Sequence, residues 1–483
     1  MEKNQHFQIK ETGIVKGVKK NLAKIEGLPT CMSGQIVEFQ SGTKGLITGF
    51  NQQAVYVLIL GDEAEIRADE PVYSRMETFK IPVGEGFLGR VVNSLGEACD
   101  GLGLITTSIF QPIFKEAPSN TERGKIKEQL LTGIKAIDTI VPVAKGQKQL
   151  IMGDRITGKT SIATTAILNQ KGKDVICVYC CIGKSLFDAG RTIQLLEESG
   201  ALNYTIVLLA GAQASVGEQY LAPYAAASVG EYFMRQGKDV LVVFDDLTNH
   251  AWAYREISLL MERPPGREAY PGDIFYIHAQ LLERAGKLNS GLGGGSMTFL
   301  PIVETLEGDV TGYIPSNLIS ITDGQIYLSS QLFNEGFKPA VDFNLSISTV
   351  GNQAQKYSLK KLSANLRFEY TQYRRILPLA RLKTAFSKTA EFKIKRGQVI
   401  TELLIQHKNM PVSEEEMMIV LYAFSTSILD DLPMEEVRRF KDKIFHFITE
   451  SNSALMDKLK KEQKLSVETA RKLDEYCRKF FAG

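Results

Sequence analysis

The chain has 483 residues, 44% of them hydrophobic and 23% charged, with a formal net charge of +2. That length exceeds one core of ordinary size and implies several domains, while the near-neutral balance leaves no field to hold nucleic acid or an anionic membrane surface. Met1 to Phe7 lacks the apolar stretch of a secretion signal, and apolar runs such as Val240 to Phe244 are too short to span a bilayer, so any membrane association would come through partners.

From Gly13 to about Arg75 the chain is made of short β-rich pieces separated by turn residues, among them Ile36 to Phe39, Lys44 to Thr48 and Ala54 to Leu60. That succession predicts a small β-barrel or sandwich over residues 1–75. Pro82, Gly84, Gly86 and Gly89 mark a change of regime. Residues 76–355 alternate buried-strand runs with helical stretches, the pattern of a multidomain α/β protein whose central domain is a parallel sheet with crossover helices. The expected strands are Gln149 to Met152, Val175 to Ile182, Thr205 to Ala210, Val240 to Phe244 and Met297 to Val303. Residues 356–483 carry long helical patterns rich in Lys, Glu, Leu and Arg and predict a C-terminal helical domain. Its apolar stripes, Ile400, Leu403 and Leu404 or Ile419, Leu421 and Phe424, are expected in its core.

Gly153-Asp154-Arg155-Ile156-Thr157-Gly158-Lys159-Thr160 fits the pattern G-x-x-x-x-G-K-[ST] and lies between the first expected central strand and a helical stretch from Ser161. In such a loop, backbone N–H groups at a helix N-terminus cradle phosphates, the lysine reaches the β and γ oxygens, and the Thr hydroxyl holds Mg2+. Residues Gly153 to Ser161 are therefore a candidate site for ATP or ADP. The strand Val240 to Phe244 runs into Asp245 and Asp246, and an acid delivered at a strand's C-terminal end is what a Mg2+-phosphate site asks of its second element. Thr160 and Asp245 are the candidate metal-holding residues. Cys177, Cys180 and Cys181 sit in a run that reads as a buried strand, no second pair completes a zinc site, and the five histidines show no metal-ligand spacing.

These motifs, together with Tyr220-Leu-Ala-Pro-Tyr224, Arg263 to Asp273, Leu281-Leu-Glu-Arg284, Gly293-Gly-Gly-Ser296 and Ile319 to Gln325, resemble the α subunit of F-type rotary ATP synthases over almost the whole chain. The resemblance implies a β-barrel crown, a RecA-like P-loop core and a helical C-terminal domain. It also implies a ring in which this chain alternates with a catalytic β-type subunit around a central shaft. In that family the α chain holds a nucleotide that is not turned over and lends an arginine finger to its neighbour. The complex is expected in the cytoplasm, peripheral at the inner face of the cell membrane, with no nucleic acid among its partners.

Several residues depart from the family pattern. Lys184, in Ile182-Gly183-Lys184-Ser185, stands where the catalytic pattern has a water-orienting glutamate and the α pattern a glutamine. A charged lysine takes no proton from water, so the chain's own site is expected to be hydrolytically poor; the bland alternative for Lys184 is a solvated side chain without a role. Thr349, in Ser346-Ile-Ser-Thr-Val-Gly351, replaces the finger arginine, and Lys356 and Arg367 downstream are expected at the surface. Ser320, Ser346 and Thr349 are the residues the resemblance places at the interface with the catalytic partner. Ile156 replaces a glutamine of the loop; near the base, Lys338 replaces an arginine and Lys408 a glutamine, while Phe333 and Gln406 keep the family residue. Only about ten residues precede Glu11-Thr-Gly-Ile14, fewer than α subunits use to anchor a peripheral stalk. Two alternatives follow: a structural or regulatory ring subunit of a motor devoted to motility or surface transport, and a hexameric nucleic-acid translocase, which the charge opposes.

Overall fold

A computed structural model describes residues 11–381 and 388–482. The strands used below are β1 (Glu11–Lys19), β2 (Leu22–Gly27), β3 (Gln35–Phe39), β4 (Lys44–Phe50), β5 (Val55–Leu60), β6 (Pro71–Thr78), β7 (Val91–Val92), β8 (Leu150–Gly153), β9 (Val175–Ile182), β10 (Thr205–Ala210), β11 (Asp239–Asp245), β12 (Ser296–Glu304), β13 (Gly324–Leu328) and β14 (Ile347–Ser348). Cα packing divides the chain into two compact units, each taken here by itself.

The first unit comprises residues 11–124, Gly172–Glu304 and Val310–Ile321. Its N-terminal part is a closed barrel in the order β1-β2-β5-β4-β3-β6. Period-2 alternation builds it: in β3, Val37 and Phe39 are buried while Ile36 and Glu38 face outward. Val15, Ile25, Val37, Phe39, Ile47 and Val57 meet in the interior. Closure decides between barrel and sandwich, because pairing β1 with β6 leaves no edge strand unsatisfied. The barrel contains more strands than the three named from sequence; β1, β2 and β6 expose Lys16, Lys24 and Tyr73 in part and read as less continuous apolar runs.

The same unit carries parallel strands in the order β12-β11-β9-β10-β7. The inner members are Val- and Ile-rich and almost wholly buried, as a sheet covered on both faces requires. Three helices connect them: α2 (Leu186–Glu198), α3 (Val216–Arg235) and α4 (Leu247–Leu260). A capping box between Ser215 and Glu218 starts α3. Arg284, which is 0% exposed, ties α3 to the sheet's surroundings through Glu231 (2.7 Å), Ser228 (2.9 Å) and the Ile113 carbonyl (2.8 Å).

The second unit comprises Lys125–Lys171, Thr305–Asp309 and the chain from Thr322 onward. Strand β8 pairs in parallel with β13, which pairs antiparallel with β14. The loop after β8 leads into helix α1 (Lys159–Leu168), and the regular elements described in the C-terminal part are all helices, from Tyr357–Ser363 to Val467–Ala482. Ile400, Leu403, Leu404, Ile419, Leu421 and Phe424 are all buried there, as their spacing predicts. The P-loop segment thus falls in the second unit with the helices, and most of the parallel sheet in the first unit with the barrel.

Candidate functional site

The phosphate loop begins where β8 ends. Gly153 has φ +157°, and a Cβ there would lie 2.6 Å from the Leu328 carbonyl oxygen of β13, so only glycine fits. Lys159 opens the helix that follows and is nearly buried. Its Nζ donates to the Gly153 carbonyl (2.8 Å) and the Asp154 carbonyl (2.7 Å), which curls the loop around the ammonium. Thr157 Oγ1 donates to the Asp154 carbonyl at 2.7 Å. No side chain caps this helix at Gly158, so the N–H groups of its first turn and the positive end of its dipole face the loop. Thr160 and Ser161, half-buried, lie in that turn.

Asp154 has a different task from the one its place in the motif suggests. Its carboxylate accepts from Thr305 Oγ1 (2.7 Å), the Gly308 N–H (2.8 Å) and Ser330 Oγ (2.6 Å). Burial raises its pKa, but these hydrogen bonds outweigh that and hold it below the usual carboxylate range. The side chain anchors the loop. Thr305 and Ser330 were not legible as site residues, since they lie more than a hundred residues away in a stretch without a motif. Arg155 and Ile156 form the exposed tip; Ile156 is 86% exposed with φ +67°, a conformation that costs a β-branched residue.

The residues expected on the base side come together in the same unit. Lys338 Nζ lies 4.3 Å from the centre of the Phe333 ring, a cation–π contact. The Gln406 N–H donates to the Lys338 carbonyl (2.9 Å), so residues 338 and 406 share one surface. The Gln406 amide itself is committed to loop architecture: Oε1 accepts the Lys135 N–H (3.0 Å), and Nε2 donates to the Gly133 and Met410 carbonyls, both at 2.7 Å. Asn409, which sequence reasoning missed, accepts from Thr164 Oγ1 (3.0 Å) and so fastens this loop to the helix behind the P-loop. Lys408, between them, is exposed.

In the first unit, Asp245 ends β11 and is 1% exposed. Tyr179 Oη of β9 donates to its Oδ2 (2.8 Å), and Lys184 Nζ lies 2.5 Å from its Oδ1. This excludes the solvated alternative for Lys184, which is largely buried and charge-paired because the register of β9 on β11, Cys181 opposite Asp245, carries the following loop over the carboxylate. Burial pulls the Lys184 pKa down, but Asp245 outweighs it and leaves the ammonium raised. Asp246 caps α4 through the Asn249 N–H, and burial with the Asp245 charge pushes its pKa up to about 7. Among the described residues no group of three or more His, Cys, Asp or Glu could hold a metal ion.

The three segments match family models in the same order: the ATP synthase alpha/beta family β-barrel domain over residues 8–75, its nucleotide-binding domain over 133–348 and the C-terminal domain of the alpha/beta chain over 355–480. The chain belongs to the ATP synthase alpha/beta family. It is 45% identical over 464 residues to the ATP synthase subunit alpha of Clostridium botulinum strain Eklund 17B, spanning 96% of this chain and 92% of that one. It is 44% identical over 458 residues to the subunit alpha of Dehalococcoides mccartyi, spanning 95% and 91%.

For this family member the residues expected at a partner interface separate by exposure. Thr349 is exposed, but both its N–H (3.1 Å) and its Oγ1 (2.6 Å) donate to the Asp323 carbonyl, which turns the hydroxyl back onto its own chain. Ser346 is 0% exposed, and its Oγ accepts the Tyr327 N–H at 2.9 Å, so its side chain braces β13. Ser320 is exposed on Tyr313–Ile321, its Oγ bonded to the Ser316 carbonyl (2.9 Å). Of the two downstream cations, Lys356 pairs with Glu414 (3.0 Å) and Arg367 is half-buried, donating to the Ile140 carbonyl (3.2 Å), so neither is the free surface charge expected of it. No helix among the described residues is long and apolar enough to cross a membrane.

Proposed function

We propose that this chain is an alpha-type subunit that holds a nucleotide without turning it over, in a hexameric ring where it alternates with a catalytic beta-type subunit around a central shaft. Its ligand is ATP or ADP, with the phosphates on the N–H groups and lysine of residues 153–161 and the base beside Phe333, Lys338 and Lys408, the last carried on a loop that Gln406 positions. Thr160 is the residue that meets Mg2+. The ring lies in the cytoplasm and reaches the inner face of the cell membrane through partners alone.

One observation carries the non-catalytic reading. Hydrolysis needs a group that accepts a proton from the attacking water, and the position that would supply it holds Lys184, an ammonium bound to Asp245. The purified chain is expected to bind ADP and to hydrolyse ATP negligibly, with activity appearing once a beta-type partner is added. Robust turnover by the chain alone overturns the reading. Thr349→Arg is expected to raise hydrolysis by the assembled ring tenfold or more, because an arginine finger is worth about 10³ to 10⁵ in phosphoryl transfer. An unchanged rate would show that residue 349 does not serve the partner's site.

A further inference from the structure

We infer that His250 and His278 form an acid-triggered latch within the first unit: their neutral rings hold three helices together at neutral pH, and proton uptake by the pair in acid releases them. The helices are α3, α4 and α5 (Ile274–Leu282). His250 on α4 and His278 on α5 are both 0% exposed, with ring centres 5.6 Å apart. None of their four ring nitrogens makes a hydrogen bond. Tyr220 of α3 stacks on His250 at 5.5 Å with the planes 10° apart, and Tyr224 meets the same ring edge-on at 6.0 Å. The Tyr224 hydroxyl donates to the Ile277 carbonyl (3.3 Å), so one of the rings against His250 also ties α3 to α5. A cavity of about 310 Å3 in the same unit is lined in part by Tyr220, Tyr254, Asp273 and Ile277, which puts His250 one ring behind its wall and gives water a route to the pair.

A buried imidazolium needs a counter-charge, and the acids of the surrounding elements are engaged elsewhere. Asp273, just before α5, accepts the Tyr254 hydroxyl (2.6 Å) and lies 3.6 Å from Arg263. Glu231 of α3 is paired with Arg284 (2.7 Å) and Lys115 (3.6 Å), and Glu218 is spent in the capping box of that helix. Glu256 of α4 pairs with Lys20 (3.4 Å), and Asp245, at the end of β11, pairs with Lys184. Tyr313–Ile321, which packs on α5, carries no acid, and Glu304 is the one acid of β12. Burial pulls His250 down to about 4 against a smaller upward pull from the Tyr220 backbone; burial, reinforced by His250, holds His278 well below the ordinary range. Both values are depressed on folding, so the opened helices bind more protons and stability falls as pH drops below the ordinary histidine value of about 6.5. Asp246 at the start of α4 acts in the opposite sense, because its raised pKa adds stability in acid, and the histidines are therefore isolated by difference.

Trp252, the single tryptophan of the chain, lies on α4 two residues after His250 and reports on that helix directly. The test is urea unfolding of the full chain followed by Trp252 fluorescence at pH 7.5 and 5.5, for the wild type, His250→Gln and His278→Gln. A histidine that is neutral when buried and titrates near 6.5 when exposed multiplies the unfolding constant by about tenfold between these pH values. The wild-type constant is therefore expected to rise about tenfold more than that of either variant, and an equal rise overturns the inference. Should one variant fail to fold, the other decides it. Carbon-13 spectra of labelled histidine in the folded wild type at pH 6 decide it without a variant: at least two of the five imidazoles are expected to remain neutral, and titration of all five near 6.5 overturns the inference.

Discussion

The ends of β8 and β11 each deliver an aspartate, and the two are stabilised by opposite means. Asp154, just past β8, is surrounded by neutral donors, two hydroxyls and an N–H, that lower the energy of the carboxylate without cancelling its charge. Asp245, at the end of β11, is met by an ammonium and a phenol, so its charge is spent inside the chain. The first arrangement builds a rigid loop, curled around the Lys159 ammonium, that is proposed above to receive phosphate. The second silences an acid that the same kind of fold can otherwise lend to a metal. The contrast shows that a strand-end acid has no function of its own until its donors are known.

The largest break in that contrast is Lys184→Met. It leaves a buried carboxylate without its cation, and the expected loss is about 3–5 kcal/mol, read from the urea midpoint of the unit that contains β11. Asp154→Asn removes the charge at the other strand end and presents an NH2 to groups that themselves donate, for an expected loss of about 2–3 kcal/mol at neutral pH. Its pH profile sharpens the comparison. The Asp154 pKa is lowered on folding, so its contribution is present above the unfolded carboxylate pKa and lost as pH falls through the folded value. Asp154→Asn should therefore differ from wild type least in acid and most at neutral pH. Tyr179→Phe takes one neutral donor from Asp245 while leaving the ammonium, and about 1.5 kcal/mol is expected. The smallest effect is Ile156→Asn at the exposed tip of the phosphate loop. Asparagine tolerates positive φ better than isoleucine, and a gain of about 0.5–1 kcal/mol in thermal stability is expected; a loss would mean that the Ile156 backbone is not strained.

Much of this was legible in residues adjacent in sequence. The P-loop, the strand ending at Asp245 and the strands Val175 to Ile182 and Thr205 to Ala210 were placed where they occur, because local apolar runs and a contiguous glycine-lysine motif encode them. The barrel was anticipated only as barrel or sandwich, since closure depends on which strands pair, and pairing is not a local property. Lys184 shows the limit most clearly. Its spacing from the P-loop marks it as a departure from the family pattern, yet nothing adjacent to it says that it is buried; that follows from the register of β9 on β11. Gln406 and Ser346 were singled out as site residues by resemblance, and their hydrogen bonds commit both to holding loops and strands in place.

By itself the amino-acid sequence determined the family, the order of barrel, nucleotide-binding and helical segments, and the glycine-lysine loop proposed to meet phosphate, because each is written in contiguous patterns of hydrophobicity or in a short motif. Tertiary structure alone decided which charges remain free to act. A side chain's charge counts for a ligand only if no neighbour has neutralised it, and the neighbours of Asp154 and Asp245 arrive from strands and loops that lie 60 or more residues away.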